Sequence, residues 1–464
     1  IAALTGVLAV ALTATACGSS SDDGGDTAES GSTSSIDCAP YTAFGDLKGK
    51  TVTVYTSITA PEDAPHIASY KPFVDCTGVE IKYEGSKEFE AQLPVRVKGG
   101  NVPDIAYLPQ PGLLNTLVQT GAVKPAPPEV VANVDKNMPD WKNYGTVDGT
   151  FYAAPLGANV KSFVWYSPTA FADKGYEVPT TWADLLALSE KMAAEGGDVK
   201  PWCAGIESGD ATGWPATDWV EDVMLRTAGA ETYDKWVNHE IPFNDPAVAT
   251  ALAEVGKILK NDKFVNGGFG DVKTIASTSF QDAGQPILDG TCYMHRQASF
   301  YAANWPEGTE VGPEGEVWAF YLPSVDSSSK PVLGGGEFTA AFADRPEVKA
   351  FQTYLSSVEW ADERAKTCGS GGCVTANKNA DPSLLKNPVD KLSAEALTDS
   401  AATFRFDGSD LMPGAVGAGT FWKGMTDWII GKDDKATLDF IEQSWPMTDW
   451  IIGKDDKATL DFIE

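Results

Sequence analysis

Between residues 51 and 121 the hydrophobic pattern alternates between the period of a strand and that of a helix, and this alternation constrains the fold more than any other feature. Thr51-Val52-Thr53-Val54-Tyr55 reads as a strand, and a helical segment follows over about 62–75. Val79-Glu80-Ile81-Lys82-Tyr83 alternates again. Ser86 then stands as an N-cap, with Phe89, Leu93 and Val97 on one helical face. Pro94 within that face predicts a kink or a shortened helix. Asp104-Ile105-Ala106-Tyr107-Leu108 is a third strand. Pro111 opens the next helix, Leu113, Leu114, Leu117 and Val118 form its buried face, and Gly121 ends it. This β-α-β-α-β-α order implies an α/β fold with a parallel sheet covered by helices. Ligands of such sheets bind beyond the carboxyl ends of the strands, so the loops 85–88 and 109–112, carrying Glu88 and Gln110, belong to a candidate site.

A second pattern of the same kind starts after Pro155. Ser162-Phe163-Val164-Trp165-Tyr166 reads as a strand. Thr181 is placed as an N-cap with Asp184 at N3, ahead of the apolar face Trp182, Leu185, Leu186 and Met192. Helices are expected at about 216–229 and 245–261, a strand over 317–323, and an amphipathic helix from Pro346 to about Trp360. A chain of 464 residues has room for more than one such domain.

Composition narrows the function. The chain holds 65 Asp plus Glu against 35 Lys plus Arg, a formal charge of -30. Nucleic acid is therefore a poor candidate ligand, because phosphate binding needs basic surface. His66, His239 and His295 are scattered, so no His-rich metal centre is expected. Gly334-Gly335-Gly336-Glu337-Phe338 lacks the Gly-Lys-Ser/Thr ending of a phosphate loop, and no nucleotide or other cofactor is expected.

Residues 1–16 are apolar and small, too short for a confident membrane span and suited to the core of a secretory signal. They end in Ala14-Thr15-Ala16-Cys17-Gly18, which resembles a bacterial lipobox, with Ala14 where leucine is commoner. On this reading 1–17 is signal and lipobox, starting inside the signal, and Cys17 is acylated. Residues 18–37 carry five acids, no base and almost nothing apolar, so they form a disordered acidic linker. Such a coil has an r.m.s. reach of roughly 25 Å. Setting Cys17 aside leaves Cys38, Cys76, Cys203, Cys292, Cys368 and Cys373, an even set suited to disulfides in an exported protein. Six cysteines allow 15 pairings. Cys368–Cys373 closes most readily across Gly-Ser-Gly-Gly, with half of a zinc site as the rival reading, and Cys38–Cys76 and Cys203–Cys292 each fall within one lobe.

At the other end, 425–442 recur letter for letter as 447–464. Two copies do not make a solenoid. The fold is expected to end by about Pro446, with 447–464 a duplicated tail outside it.

Several fragments together resemble one family. They include Gly85-Ser86-x-x-Phe89-x-x-Gln92-Leu93, Val102-Pro103-Asp104-Ile105, Gly149-x-Phe151-Tyr152-x-x-Pro155 with Trp165-Tyr166, and Pro179-x-Thr181-Trp182. Leu288-x-Gly290 ahead of Tyr293-Met294 and Met412-Pro413 ten residues before Trp422 complete the set. In this order they resemble the extracellular sugar-binding components of ABC importers, the maltose-binding-like class. The segments 213–222 and 404–413 are similar to its α-glucoside-binding branch. The resemblance implies the two-lobe periplasmic-binding-protein type II fold (venus flytrap), with a hinge and a sugar-closed cleft. The first lobe would span 38–158 plus 310–360 and the second 159–309 plus 361–446.

A sugar offers hydroxyls and an apolar C–H face, so its site needs aromatic rings and charged or bidentate groups. Trp214 and Asp218 stand at the mouth of a helix. Trp219 and Asp222 fit either that site or a core and a solvated face. By the family match Phe300 stacks on sugar, where the maltose-type pattern has Trp. Arg296 and Gln297 donate to hydroxyls, or Arg296 pairs with an acid between the lobes. Trp422 keeps the spacing of a second stacking ring, unless it packs with Phe421 and Trp428. Glu337 is aimed into the cleft from the glycine run, and Asp410 belongs to the matched 404–413 segment. Lys161 lies at the first hinge crossing, reaching a hydroxyl or solvent. The maltose-type pattern has an acidic-basic pair near Gln110 where this chain has Pro111-Gly112, a departure that suits a smaller ligand.

The reading is a non-enzymatic, monomeric, lipid-anchored receptor at the extracellular face of a bacterial membrane, delivering an α-glucoside or related oligosaccharide to an importer's permease subunits. The alternatives are a secreted glycoside hydrolase or lyase using Asp218 and Asp222, and an adhesion or scaffold lipoprotein.

Overall fold

The computed structural model describes residues 36–266, 270–326 and 328–451, with side chains of the final helix as far as Trp445. The lipobox at Cys17, the linker as far as residue 35 and residues 452–464 of the second repeat lie outside the described residues. Among the described residues no helix is long and apolar enough to cross a membrane.

The first sheet has five strands in the order Glu80–Gly85, Thr51–Thr56, Ile105–Leu108, Phe338–Ala341, Ala153–Pro155. The first three are parallel, with Val54 opposite both Tyr83 and Ile105. Phe338–Ala341 then runs antiparallel to both neighbours. Its faces are buried under separate cores: Val54 packs with Phe73, Phe351 and Tyr354 on one, and Tyr55 with Phe89, Leu93 and Leu114 on the other. Burial on both faces is what a sheet covered by helices requires.

The second sheet runs Val265–Asn266, Lys200–Cys203, Cys292–Arg296, Phe163–Tyr166, Trp318–Tyr321. Its core gathers Trp202, Trp219, Met224, Val255, Met294 and Trp428 from the sheet and its covering helices. A three-stranded sheet joins the lobes: Thr403–Phe406, Pro331–Gly335 and Asn159–Val160. The chain passes from one large sheet to the other through its last two strands.

The sequence places the three parallel strands of the first sheet but not Ala153–Pro155 or Phe338–Ala341, and several other boundaries differ. Trp318–Tyr321 pairs with Phe163–Tyr166, Ala319 opposite Trp165, so the segment from 310 to the Pro331 strand belongs to the second lobe. Helix Val358–Thr367 packs Trp360 and Ala361 into the first-lobe core, so that lobe continues past residue 360. Hydrophobic alternation marks a strand and does not say which sheet it joins. The helix expected over 62–75 is two, Asp63–Ala68 and Lys71–Thr77, and that expected from Pro346 ends at Leu355. There Ser357 Oγ accepts from the Trp360 amide at 3.1 Å and caps a new helix. Ser86 Oγ accepts from Glu88 N at 3.1 Å in a turn ahead of the helix Phe89–Gly99, which continues through Pro94. Thr181 caps as expected, accepting from Asp184 N at 3.1 Å.

Three disulfides, Cys38–Cys76, Cys203–Cys292 and Cys368–Cys373, have Cα separations of 5.4, 5.6 and 6.2 Å. The final helix, Asp434–Ile451, runs through Pro446 into the second repeat.

Candidate functional site

The two large sheets point the carboxyl ends of their parallel strands at a shared cleft, which takes in about 1330 Å³ with its solvent-open space. First-lobe loops bring Glu62, Lys87, Glu90 and Gln110 to it; the second lobe brings Trp214, Phe280 and Phe300; the hinge segments bring Asn159, Lys161, Asp407 and Asp410. The lobes touch across it. Asn304 Nδ2 donates to Glu62 Oε1 at 3.1 Å, and Gln281 Nε2 to the Ala60 carbonyl at 3.3 Å. A Cβ at Gly209 would lie 2.8 Å from the Lys87 carbonyl oxygen.

Local backbone sets the rings. The helix Trp214–Val237 begins after Gly213, whose φ of 116° favours glycine, and a Cβ there would lie 2.1 Å from the Trp422 carbonyl oxygen. Glycine thus lets the Trp214 and Trp422 segments close on each other. The Trp214 ring lies 5.0 Å from Phe280 and 6.0 Å from Phe300, centroid to centroid. Phe300 is held from behind by the Cys368–Cys373 loop, where a Cβ at Gly372 would meet Phe300 Cα at 2.8 Å. Buried Asp390 fixes that loop by accepting from Gly372 N at 2.7 Å and Cys373 N at 3.3 Å.

Beneath the rings lies a buried charge cluster. Lys161 Nζ donates to Asp218 Oδ1 at 3.0 Å and to Asp407 Oδ2, and lies 4.0 Å from Asp410 Oδ2. Arg296 pairs with Asp222 at 3.0 Å and Asp218 at 3.4 Å, and Asp222 also pairs with Arg226. Glu221 accepts from Gly408 N and Ser409 N at 3.0 and 3.1 Å, tying the helix to the hinge. Burial alone would lower the Lys161 ammonium, but Asp218, Asp407 and Asp410 hold it well above the usual lysine range. Asp407 is held low despite its burial, by Lys161, and is the charged partner. Burial pushes Asp218 up to about 7 against the pull of Lys161. It also pushes Glu221 and Asp410 well above the carboxylate range, with Asp407 adding to both. Oxygens of Asp218, Glu221 and Asp407 lie within 4.8 Å of one another, and the Lys161 ammonium supplies the positive charge that such a trio needs.

Several buried polar atoms of the cleft wall have no hydrogen-bond partner among the described residues: Glu90 Oε2, Gln110 Oε1, Asn159 Oδ1, Arg364 Nη1 and Trp422 Nε1. Acceptors and donors are mixed among them. A ligand that both donates and accepts at many points, and has an apolar face for the rings, would satisfy this wall.

Of the residues singled out from the sequence, Gln110, Lys161, Trp214, Phe300, Glu337, Asp410 and Trp422 line the cleft. Trp422 stays out of the core that takes Phe421 and Trp428. Glu88 is exposed and outside the cleft, because the turn before the helix presents Lys87 and Glu90 instead. Asp218 is fully buried under the cleft floor in its ion pairs. Trp219 packs in the second-lobe core against Trp202. Arg296 pairs with acids of its own lobe and does not bridge the lobes. Sequence reasoning missed Glu62, Glu90, Asn159, Arg364 and Asp407. Glu90 stands two residues from Glu88, and Asp407 lies inside the segment 404–413. Buried Arg364 faces the cleft from an otherwise ordinary amphipathic helix, and no local pattern marks it.

Comparison with known proteins agrees with this architecture. The chain is 42% identical over 414 residues to the alpha-glucosides-binding periplasmic protein AglE of Rhizobium meliloti (strain 1021), covering 86% of this chain and 88% of that one. It is 41% identical over 410 residues to the osmoprotective compounds-binding protein GgtB of Synechocystis sp., covering 87% and 94%. Among solved structures, the bacterial solute receptor AcbH superposes with a TM-score of 0.72 at 18% identity, over 87% of this chain and 99% of that one. Maltose-bound T. maritima MalE3 gives 0.65 at 14%, over 86% and 99%. These two likenesses establish the two-lobe fold. Residues 63–362 match the family described as bacterial extracellular solute-binding protein, and the chain belongs to that family.

Proposed function

We propose that this protein captures an α-glucoside between its lobes and delivers it to the membrane subunits of an ABC importer, without chemistry on the sugar. The observation that carries this reading is the cleft wall itself. Unpartnered buried donors and acceptors converge there beside Trp214, Phe280, Phe300 and Trp422. The choice of an α-glucoside leans on the relative named for binding alpha-glucosides. A hydrolytic role for Asp218 and Asp222 has no support. Both carboxylates are locked in buried ion pairs with Lys161, Arg226 and Arg296, and share one helix, so they cannot flank a glycosidic bond.

The protein acts as a monomer on the outer face of the cell membrane, held there by lipid on Cys17. Replacing Cys17 by Ala should release it into the medium; unchanged membrane retention would refute the anchor. Calorimetric titration with trehalose, maltose, sucrose and maltotriose, followed by chromatography of the recovered sugar, tests the main reading. Saturable binding with intact sugar is expected. Hydrolysis, or no binding across the panel, would overturn it.

A further inference from the structure

One corner of the cleft differs from the rest in its charge. Trp422 and Glu90 line both the main cleft and an adjoining cavity of about 650 Å³, solvent-open space included. Gln110 hydrogen-bonds to Glu90, and Asp410 lies close enough to Glu90 for the two carboxyls to repel. At the hinge Asp222 is matched by Arg226 and Arg296, and Asp407 by Lys161. Glu62 and Glu337 of the cleft are in no ion pair but have the Arg364 guanidinium near them. Glu90 and Asp410 are less well matched. Among the described residues Glu90 has no lysine or arginine within ion-pair distance, and one of its oxygens has no partner at all. The carboxyl accepts from Gln110 Nε2 at 3.2 Å and from its own backbone N–H. The Asp410 carboxylate accepts no hydrogen bond among the described residues, and its nearest cation, Lys161, is 4.0 Å away and already held by Asp218 and Asp407. The adjoining cavity adds Asp210 and no basic residue.

A second observation points to a ligand. Gln110 lines the cleft and is only 4% exposed, and its buried Oε1 has no partner among the described residues. Its amide nitrogen is committed to Glu90, so what the pair offers is acceptors. The Trp422 ring forms the wall beside them, and a tryptophan face attracts cations. Hydroxyls would also hydrogen-bond to acceptors, but they bring no positive charge to favour ionisation of the two carboxyls. An ammonium supplies donors and that charge together.

We infer that the corner formed by Glu90, Gln110, Asp410 and Trp422 accepts a protonated amine, so that the receptor prefers amine-bearing glucosides over their neutral parents. Burial holds the Asp410 and Glu90 carboxyls above their ordinary range, as expected where the compensating cation arrives with the ligand. This inference rests on the cleft being a sugar site.

The test compares trehalose and maltose with their 2-amino-2-deoxy and 6-amino-6-deoxy derivatives by calorimetry at neutral pH. The N-acetylated derivatives serve as neutral controls of similar shape. At least one amine should bind roughly tenfold or more tighter than its parent, the scale of a charge-assisted hydrogen bond. Its acetylated form should lose that gain. Glu90→Gln keeps the side-chain shape at a partly exposed position and should bring the amine-to-parent ratio down to about one. Parents binding as well as or better than every amine would overturn the inference and leave the sugar-receptor reading in place. A gain that survives acetylation, or persists in Glu90→Gln, would also overturn it. Failure of every sugar, charged or neutral, would overturn both.

Discussion

The ammonium group of Lys161 lies 3.0 Å from Oδ1 of Asp218, joining the first hinge crossing to the helix that carries Trp214. Both side chains are almost wholly buried. Without Asp218, Lys161 keeps Asp407 and Arg296 keeps Asp222, so no charge is orphaned and the loss is that of buried charge-assisted hydrogen bonds, about 1.5–3 kcal/mol. Asp218→Ala is therefore expected to lower unfolding free energy by that order in a urea titration. Its effect on sugar affinity should be secondary, since Asp218 lies below the cleft floor.

Trp214 and Phe300 should behave in the opposite way. Each is partly exposed to the cleft, so truncation to Ala removes stacking area from the ligand more than packing from the core. Each variant should lose about 1–3 kcal/mol of binding free energy, as in other stacking on flat ligands, or roughly five- to 150-fold in affinity. Titration beside melting curves checks this. Wild-type affinity in both variants would remove the rings from the site.

Glu62 gives a pH signature. Burial, with Glu337 adding, raises its carboxyl to about 7, although the hydrogen bond from Asn304 pulls it down. A carboxyl raised in the folded state binds more protons folded than unfolded, so its contribution to stability is present at acid pH and is lost as pH rises through about 7. Glu62→Gln keeps an acceptor for Asn304 and removes the charge. The variant should match the wild type below about pH 4.5, melt increasingly higher than it as pH rises from there to about 7, and keep a constant lead above that. A constant difference from about pH 4.5 to 7 would assign the effect to packing.

The Cys368–Cys373 loop should matter twice. In the chain-entropy account, a ring this short contributes about 2 kcal/mol to stability. It also backs Phe300 through Gly372. Replacing both cysteines by Ser should cost that much in unfolding free energy and weaken sugar binding as well. Loss of stability with unchanged affinity would show that Phe300 holds its place alone.

The parallel first-lobe strands were legible because Val52, Val54, Ile105 and Leu108 are buried in a simple alternating or continuous pattern. Trp214, Phe300 and Trp422 were legible because a glycine turn or a matched segment flags each. Asp218 and Arg296 were misplaced for a common reason. A buried ion pair and a ligand-facing charge look the same in one dimension, and only the packing of the Trp214 helix onto the hinge separates them. Arg364 and Asn159 carry no local signal at all. They reach the cleft because distant segments fold over each other, Arg364 from a helix that sequence reasoning cut at residue 360.

The bonds from Asn304 to Glu62 and from Gln281 to the Ala60 carbonyl cross from lobe to lobe beside the cleft. They give the shut form a free energy of its own. Sugar must then wait for the lobes to part, so the association rate follows the fraction of open molecules, while the same two bonds slow escape. Strengthening them would lengthen residence and delay capture together. An importer fed by this protein would feel that trade as a limit on flux at low sugar, set by these two hydrogen bonds as well as by the rings inside.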